Sequence, residues 1–255
     1  MANNQRHDPI RATYYRPVEI GEAFGEWLFW ITTGLSATLI LVDRATHAQL
    51  YDRLQMGLVI AAVLAFIIGT AVRLYLQPRA LAARSADLIS QSFGVALSHE
   101  TTVGYYNNQM PAGHRRLAAM ALENAFFSKE ISKSMLRFER FRAGVALLIF
   151  IFLMREDDLA FGAIAAATVF GEQVIVRYLR LEWFRSRCES IYKQLHDLFL
   201  HNPTDPTFTA ETIGGLNSYE SGKAMAGVTL SDRIFKKRNA DLSTQWDVIK
   251  QTLRL

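Results

Sequence analysis

Two long apolar runs follow each other closely near the start of this chain, and they restrict its fold more than any other feature. Residues 24–42 read FGEWLFWITTGLSATLILV, with Glu26 as the lone charge, and residues 56–72 read MGLVIAAVLAFIIGTAV, with no charge before Arg73. About 20 apolar residues cross the hydrocarbon core of a bilayer as a helix, so each run has a spanning length. Trp27 and Trp30 sit at the start of the first run, where an aromatic belt meets the interface. Only the short loop 43–55 separates the runs, which predicts a helical hairpin.

A second hairpin is predicted further on. Residues 143–154, AGVALLIFIFLM, are too few to cross alone. They reach a spanning length if the helix continues through 138–142, with Arg140 and Arg142 snorkelling toward the interface. Residues 159–176, LAFGAIAAATVFGEQVIV, form the fourth run, and Arg155, Glu156, Asp157 and Asp158 make a tight polar turn before it. The expected fold is an all-α membrane protein: four transmembrane helices in two hairpins with a helical cytoplasmic domain. Its divisions are a tail (1–23), a first hairpin (24–76), a middle helical segment (77–137), a second hairpin (138–178) and a C-terminal helical region (179–255). A mean hydropathy of +0.08 fits such a mixture of apolar spans and polar mass.

The basic residues set the orientation. Of the 28 Lys and Arg, only Arg44, Arg53 and Arg155 fall in the two interhelical turns. The positive-inside rule then places both ends and the middle segment on the cytoplasmic side. The first twenty residues, with Arg6, Asp8, Arg11 and Arg16 among them, read as a polar tail and not as a cleavable signal.

Within the polar mass, Pro78 is expected to kink or restart a helix. Leu81, Leu88, Ile89, Phe93 and Leu97 then recur at amphipathic helical spacing. Residues 99–116, HETTVGYYNNQMPAGHRR, read as a loop. A helix over 114–141 would place Leu117, Met120, Ala121, Asn124, Phe127 and Ile131 on one face. The fourth run is expected to continue straight into a helix over 177–200, whose buried stripe is Leu181, Phe184, Cys188, Ile191, Leu195 and Leu198. HNPTDPT (201–207) breaks that helix, Gly214 and Gly215 mark an extended or short helical piece, and a last helix covers about 230–255.

The chemistry for most enzyme classes is missing. There is no Gly-rich phosphate loop with a following Lys-Ser or Lys-Thr, no G-x-S-x-G and no H-E-x-x-H. No two of the six His share a metal-ligand spacing, and the single cysteine, Cys188, cannot form an internal disulfide. The reading therefore assigns no catalytic residue, metal or cofactor, and the chain is expected not to be an enzyme. Glu172 is the most informative ionisable residue, because a carboxylate in a span should face protein or water. Thr168 lies one turn earlier and Ala165 another turn back, so the three together suit a pore-lining or helix-packing face. In an oligomer, Asp157 and Asp158 would form an acidic ring at the pore mouth. Candidate ligand contacts are the aromatic and amide loop Tyr105, Tyr106, Asn107 and Asn108, the pair Lys129 and Lys133, and the basic cluster Lys236, Lys237 and Arg238. Aromatic stacking with cations is how nucleotides and single strands are commonly held.

Three stretches carry a resemblance to a known family: ADLISQSFG (86–94), GYYNNQ with ENAFFSKEIS (104–109 and 123–132), and DRIFKKRNADLSTQWDVIKQTLR (232–254). Together with the two hairpins around a cytoplasmic middle segment, they resemble the SMODS-associated four-transmembrane effectors of bacteria and the related SLATT-type effectors. The resemblance implies a homo-oligomeric pore-forming effector of phage defence in the bacterial inner membrane. It implies control by a nucleotide or oligonucleotide signal from a nucleotidyltransferase-like partner of the same operon. The expected outcome is depolarisation and growth arrest. The alternative is a membrane scaffold that recruits a cytoplasmic partner without conducting.

Overall fold

The computed structural model describes residues 7–106, 110–153, 159–170 and 172–255, with the side chains of all of these except 153, 159–162 and 172. Every regular element among them is helical. The helices are α1 (Arg16–Leu41), α2 (Ala48–Ala71), α3 (Gln77–Phe93), α4 (His114–Leu153), α5 (Leu159–Val169), α6 (Arg177–His201), α7 (Asp205–Ala226) and α8 (Asp232–Leu253). Three π-helical turns, Arg11–Tyr15, Val72–Leu76 and Glu172–Val176, adjoin α1, α3 and α6. The chain divides into two compact units: Met1–Arg16 with Gln77–Leu136 and Arg180–Leu255, and Pro17–Leu76 with Arg137–Leu179.

The second unit buries Val18, Leu28, Val72, Val169 and Val174 together with several alanines, and exposes many large apolar side chains. Its buried positions include Ala61, Ala143 and Ala165, while Phe24, Trp27, Val59, Val63, Phe66, Phe141, Leu148 and Phe152 are exposed. The continuous helices Arg11–Leu41 and Ala48–Phe93 are each long and apolar enough to cross a membrane. α1 and α2, with 26 and 24 residues, are about 39 and 36 Å long at 1.5 Å per residue, more than a hydrocarbon core of about 30 Å. They pack antiparallel: Gly21 abuts Val72, and Gly57 lies against Leu35. Asp43 shapes the connection by accepting a hydrogen bond from the Ala45 amide at 2.9 Å. α4 continues helically through Arg142 to Leu153, which supplies the continuation that the third apolar run requires.

The fourth run departs from its expected course. α5 ends at Val169, Phe170 lies in a bend, and the chain resumes helix as the π turn Glu172–Val176 ahead of α6. The straight α-helical passage from 159 to 200 is therefore interrupted. The stripe Ala165, Thr168 and Glu172 does not lie on one uninterrupted helix, because a π turn changes the residue-to-angle register that the stripe assumes.

The first unit is a helical bundle around the first half of α4. Ala118, Ala119, Met120, Ala121 and Leu122 are fully buried, so this helix is enclosed on every side. On α6 the residues Leu181, Phe184, Cys188, Ile191, Leu195 and Leu198 are all buried, as their spacing predicts. Trp246 of α8 stacks on Phe126 of α4, with ring centroids 6.0 Å apart. The Ser231 hydroxyl caps α8 by accepting the Ile234 amide. After α6 the chain turns through Asn202 at a positive φ of 43°, and α7 starts at Asp205, so the 201–207 breaker behaves as read.

Gly214 and Gly215 do not break the chain. They lie inside the 22-residue helix α7, whose buried positions Phe208, Thr212, Gly215, Tyr219, Gly222 and Ala226 alternate at four- and three-residue steps. Gly215 allows close approach to α6, since a Cβ there would stand 2.8 Å from Leu195 Cδ2, whereas at Gly214 it would meet open space. Leu195 is fully buried and has little room to yield. Gly215→Ala is therefore expected to cost about 1–2 kcal/mol from overpacking, while Gly214→Ala is expected to stabilise by about 0.5–1 kcal/mol through helix propensity. Thermal unfolding of the two variants should move in opposite directions. Equal gains at both sites would show that α6 and α7 do not meet at Gly215.

Candidate functional site

α3 places a polar stripe on its buried face. Ala80, Arg84, Asp87 and Leu88 follow one another at helical spacing, and all are buried. A guanidinium and a carboxylate on the inward face of a helix need partners, because unpaired buried charge is costly. Asp87 finds its partners in the loop before α4: it accepts the Thr102 amide at 3.1 Å and the Thr102 hydroxyl at 2.7 Å. Gln91, one turn on, donates to Asp87 at 3.0 Å and also to the Thr102 carbonyl.

Arg84 is held by groups far away in the sequence. Its Nη2 donates to both carboxylate oxygens of Asp8, at 2.8 and 3.0 Å. The guanidinium carbon lies 4.4 Å from the Tyr105 ring centroid and 5.5 Å from that of Tyr15. Burial opposes the charge on Arg84, but Tyr105 and the Asp8 carboxylate outweigh it and hold the guanidinium above its usual value. Lys223 of α7 lies close enough to Tyr15, Tyr105 and Arg84 to feel their charge. Burial pulls its ammonium down, and Tyr15, Glu220 and Tyr105 more than offset this. Burial, then Tyr105, pushes the Tyr106 phenol well above its usual value, so it stays neutral. Arg84 and three tyrosines, Tyr15, Tyr105 and Tyr106, thus lie together in the bundle. Such a set can hold an anion and cover an apolar ring, and it carries no nucleophile–base pair. Among the described residues, no three His, Cys, Asp or Glu side chains converge to hold a metal.

The second unit contains its own charge cluster. Arg142 of α4 pairs with Glu26 of α1 at 3.1 Å, and Arg177 pairs with Glu139 at 3.2 Å. Weaker approaches, Arg142 to Glu139 at 3.9 Å and Arg177 to Glu26 at 3.7 Å, close the square. Arg142 also donates to the Gln173 carbonyl. Its guanidinium is thus engaged by two carboxylates and a carbonyl. Arg142 is thus paired within the unit, the cheaper arrangement for a charge with little exposure.

The residues singled out from sequence fall into separate settings. Tyr105 and Tyr106 meet edge to face at 4.9 Å beside Arg84, while Asn107 and Asn108 lie outside the described residues. Lys129 lies over the Tyr192 ring at 4.3 Å and 3.5 Å from Glu130, so it packs within the bundle. Lys133 is exposed. Arg238 donates to the Ser134 hydroxyl at 2.7 Å and to the Glu130 carbonyl at 3.3 Å, which makes it a tie between α8 and α4. Lys236 pairs with Asp232 at 2.8 Å, and both it and Lys237 are exposed. Ala165 is buried and Thr168 half-buried on α5. Glu172 belongs to a π turn, and its side chain lies outside the described residues, as do Asp157 and Asp158. Arg84, Asp87, Lys223, Asp8 and Tyr15 were not singled out. The available signal was a charged pair at i and i+3 on the same side of a helix as Ala80 and Leu88.

The one cysteine provides a probe of this unit. Cys188 is buried, and burial pushes its thiol up to about 12. The folded state therefore holds this proton more tightly than the unfolded chain. The resulting stability is intact below the ordinary cysteine value of 9.0 and is lost as pH rises toward 12. Tyr219, also raised by burial and then by Cys188, acts in the same direction. The thermal midpoint is expected to fall between pH 9 and 12, less steeply in Cys188→Ala. At pH 8 the native thiol should resist maleimide until the chain unfolds. Rapid native labelling would show that Cys188 is not enclosed.

Comparison of the chain with family models, with curated proteins and with solved structures returns no match in any of the three.

Proposed function

We propose that this chain is a four-crossing, homo-oligomeric membrane protein that conducts ions under the control of its helical body. In this reading the second half of α4, and α5 with the π turn that follows residue 171, supply the third and fourth crossings. The body and both ends lie in the cytoplasm. The observation that carries the reading is the inverted surface of the second unit, which exposes Phe24, Trp27, Phe66, Phe141 and Phe152 while burying Ala61, Ala143 and Ala165. Water penalises such a surface, and lipid accepts it. Close helix packing through small residues is how membrane bundles cohere. Four helices from one chain leave no room for a wide pore, so conduction requires several copies. The signal acting on the body would be a nucleotide or oligonucleotide made by a nucleotidyltransferase-like partner, as the resemblance to bacterial defence effectors implies. The tyrosines around Arg84 support that reading by their chemistry.

The test is inducible expression in a bacterium, with membrane potential followed by a voltage-sensitive dye and insertion checked by fractionation. Depolarisation with growth arrest is the expected result. Full potential at high expression, with the protein inserted, would overturn conduction and favour the non-conducting scaffold.

A further inference from the structure

Residues 7–15 form a strap on the first unit, and a carboxylate of that strap occupies the unit's buried guanidinium. The strap is tied at four places. His7 and Val103 exchange backbone hydrogen bonds at 3.1 and 3.0 Å. Asp8 takes Arg84, Arg11 pairs with Asp232, and the Thr13 hydroxyl donates to Glu100 at 3.0 Å. The second of these ties is poorly matched. A carboxylate that fits a guanidinium takes two parallel bonds from two nitrogens. Here both Asp8 oxygens crowd Nη2, and Nη1 is left buried with no hydrogen-bond partner among the described residues. Arg84 itself is only 7 % exposed.

We propose that Arg84, held beside the rings of Tyr15 and Tyr105, binds the phosphate group of an anionic ligand, and that Asp8 is the internal anion which this phosphate replaces. A phosphate has the charge and the oxygens to engage Nη1 and Nη2 together, which Asp8 does not do here. The nearby Asp87 does not veto an anion, because the Thr102 amide, the Thr102 hydroxyl and Gln91 already absorb its charge. Replacement of Asp8 loosens a strap that is followed directly in the chain by α1. Only this consequence for the membrane rests on the function proposed above; the binding does not.

The test uses the full chain in nanodiscs of zwitterionic lipid, with pyrophosphate as the soluble probe and phosphatidylglycerol discs as the headgroup probe. Binding is read by calorimetry, and strap release by tryptic cleavage after Arg11. Asp8→Asn removes the competing charge yet can still cap the Arg11 amide, a bond that Asp8 makes at 3.0 Å. It is expected to bind the phosphate probe about tenfold more tightly than the wild type and to be cleaved rapidly without it. Arg84→Lys, checked for retained helicity, keeps the charge but loses the fork, and is expected to bind about tenfold or more weakly. Rapid wild-type cleavage in phosphatidylglycerol discs alone assigns the phosphate to a headgroup, and a response to pyrophosphate alone assigns it to a soluble ligand. Unchanged affinity in Asp8→Asn, unchanged affinity in Arg84→Lys, or no binding of either probe overturns the proposal. None of these readouts depends on whether the protein conducts.

Discussion

Replacing Asp87 with alanine is expected to lower stability by about 3 kcal/mol, because it strands several buried donors at once. The carboxylate is fully buried and accepts from the Thr102 amide, the Thr102 hydroxyl and the Gln91 side chain. Gln91 retains the Thr102 carbonyl, but the Thr102 amide keeps no acceptor in its place. For a chain of this size the loss corresponds to a fall of roughly 6–10 °C in the thermal midpoint. Asp87→Asn keeps the shape and one acceptor while setting an amide donor against other donors, so it should fall between the alanine variant and the wild type. A change of less than about 0.5 kcal/mol in the alanine variant, the range of ordinary surface substitutions, would show that the Thr102 loop is held by other bonds.

The second large effect belongs to the charge square of the other unit. Glu139 has a side chain only 6 % exposed and faces both Arg142 and Arg177. Glu139→Ala leaves two guanidiniums sharing Glu26 among apolar side chains. Breaking a buried ion pair from one side costs about 3–5 kcal/mol. Arg177 and Glu26 are each about a third exposed, which moves the expected cost toward about 2–3 kcal/mol through solvent screening. The double variant Glu139→Gln with Arg177→Gln removes charge from both sides and should recover a large part of the loss. Strict additivity of the two single effects, measured by thermal unfolding in detergent, would show that the pair is not coupled.

The helical character of the chain was readable because most of it rests on local periodicity. The α6 stripe from Leu181 to Leu198 illustrates this, since each residue at the helical step is buried. α7 was not readable in the same way. A Gly-Gly pair carries the same local signal whether it ends a helix or seats one helix against another, and only Leu195 of α6 decides between the two. The site divides similarly. Tyr105 and Tyr106 stood out as aromatic residues in a polar loop. Arg84 and Asp87 were not singled out, because their partners Asp8 and Thr102 lie 76 and 15 residues away. Arg142 shows the same limit, since Glu26, 116 residues distant, turns an interfacial cation into half of an ion pair.

The discontinuity of the first unit has a consequence for the order in which the protein is made. That unit draws on Met1–Arg16, Gln77–Leu136 and Arg180–Leu255, whereas every residue of the second has been synthesised by Leu179. Arg11 must wait 221 residues for Asp232, and Phe126 waits for Trp246. A nascent chain therefore completes the apolar unit while the first unit still lacks most of α6 and all of α7 and α8. During that interval the early helices α3 and α4 expose surfaces that only later residues cover, a window in which chaperones or the translocation machinery have unfinished apolar faces to hold. The first unit is complete only when translation has passed α8.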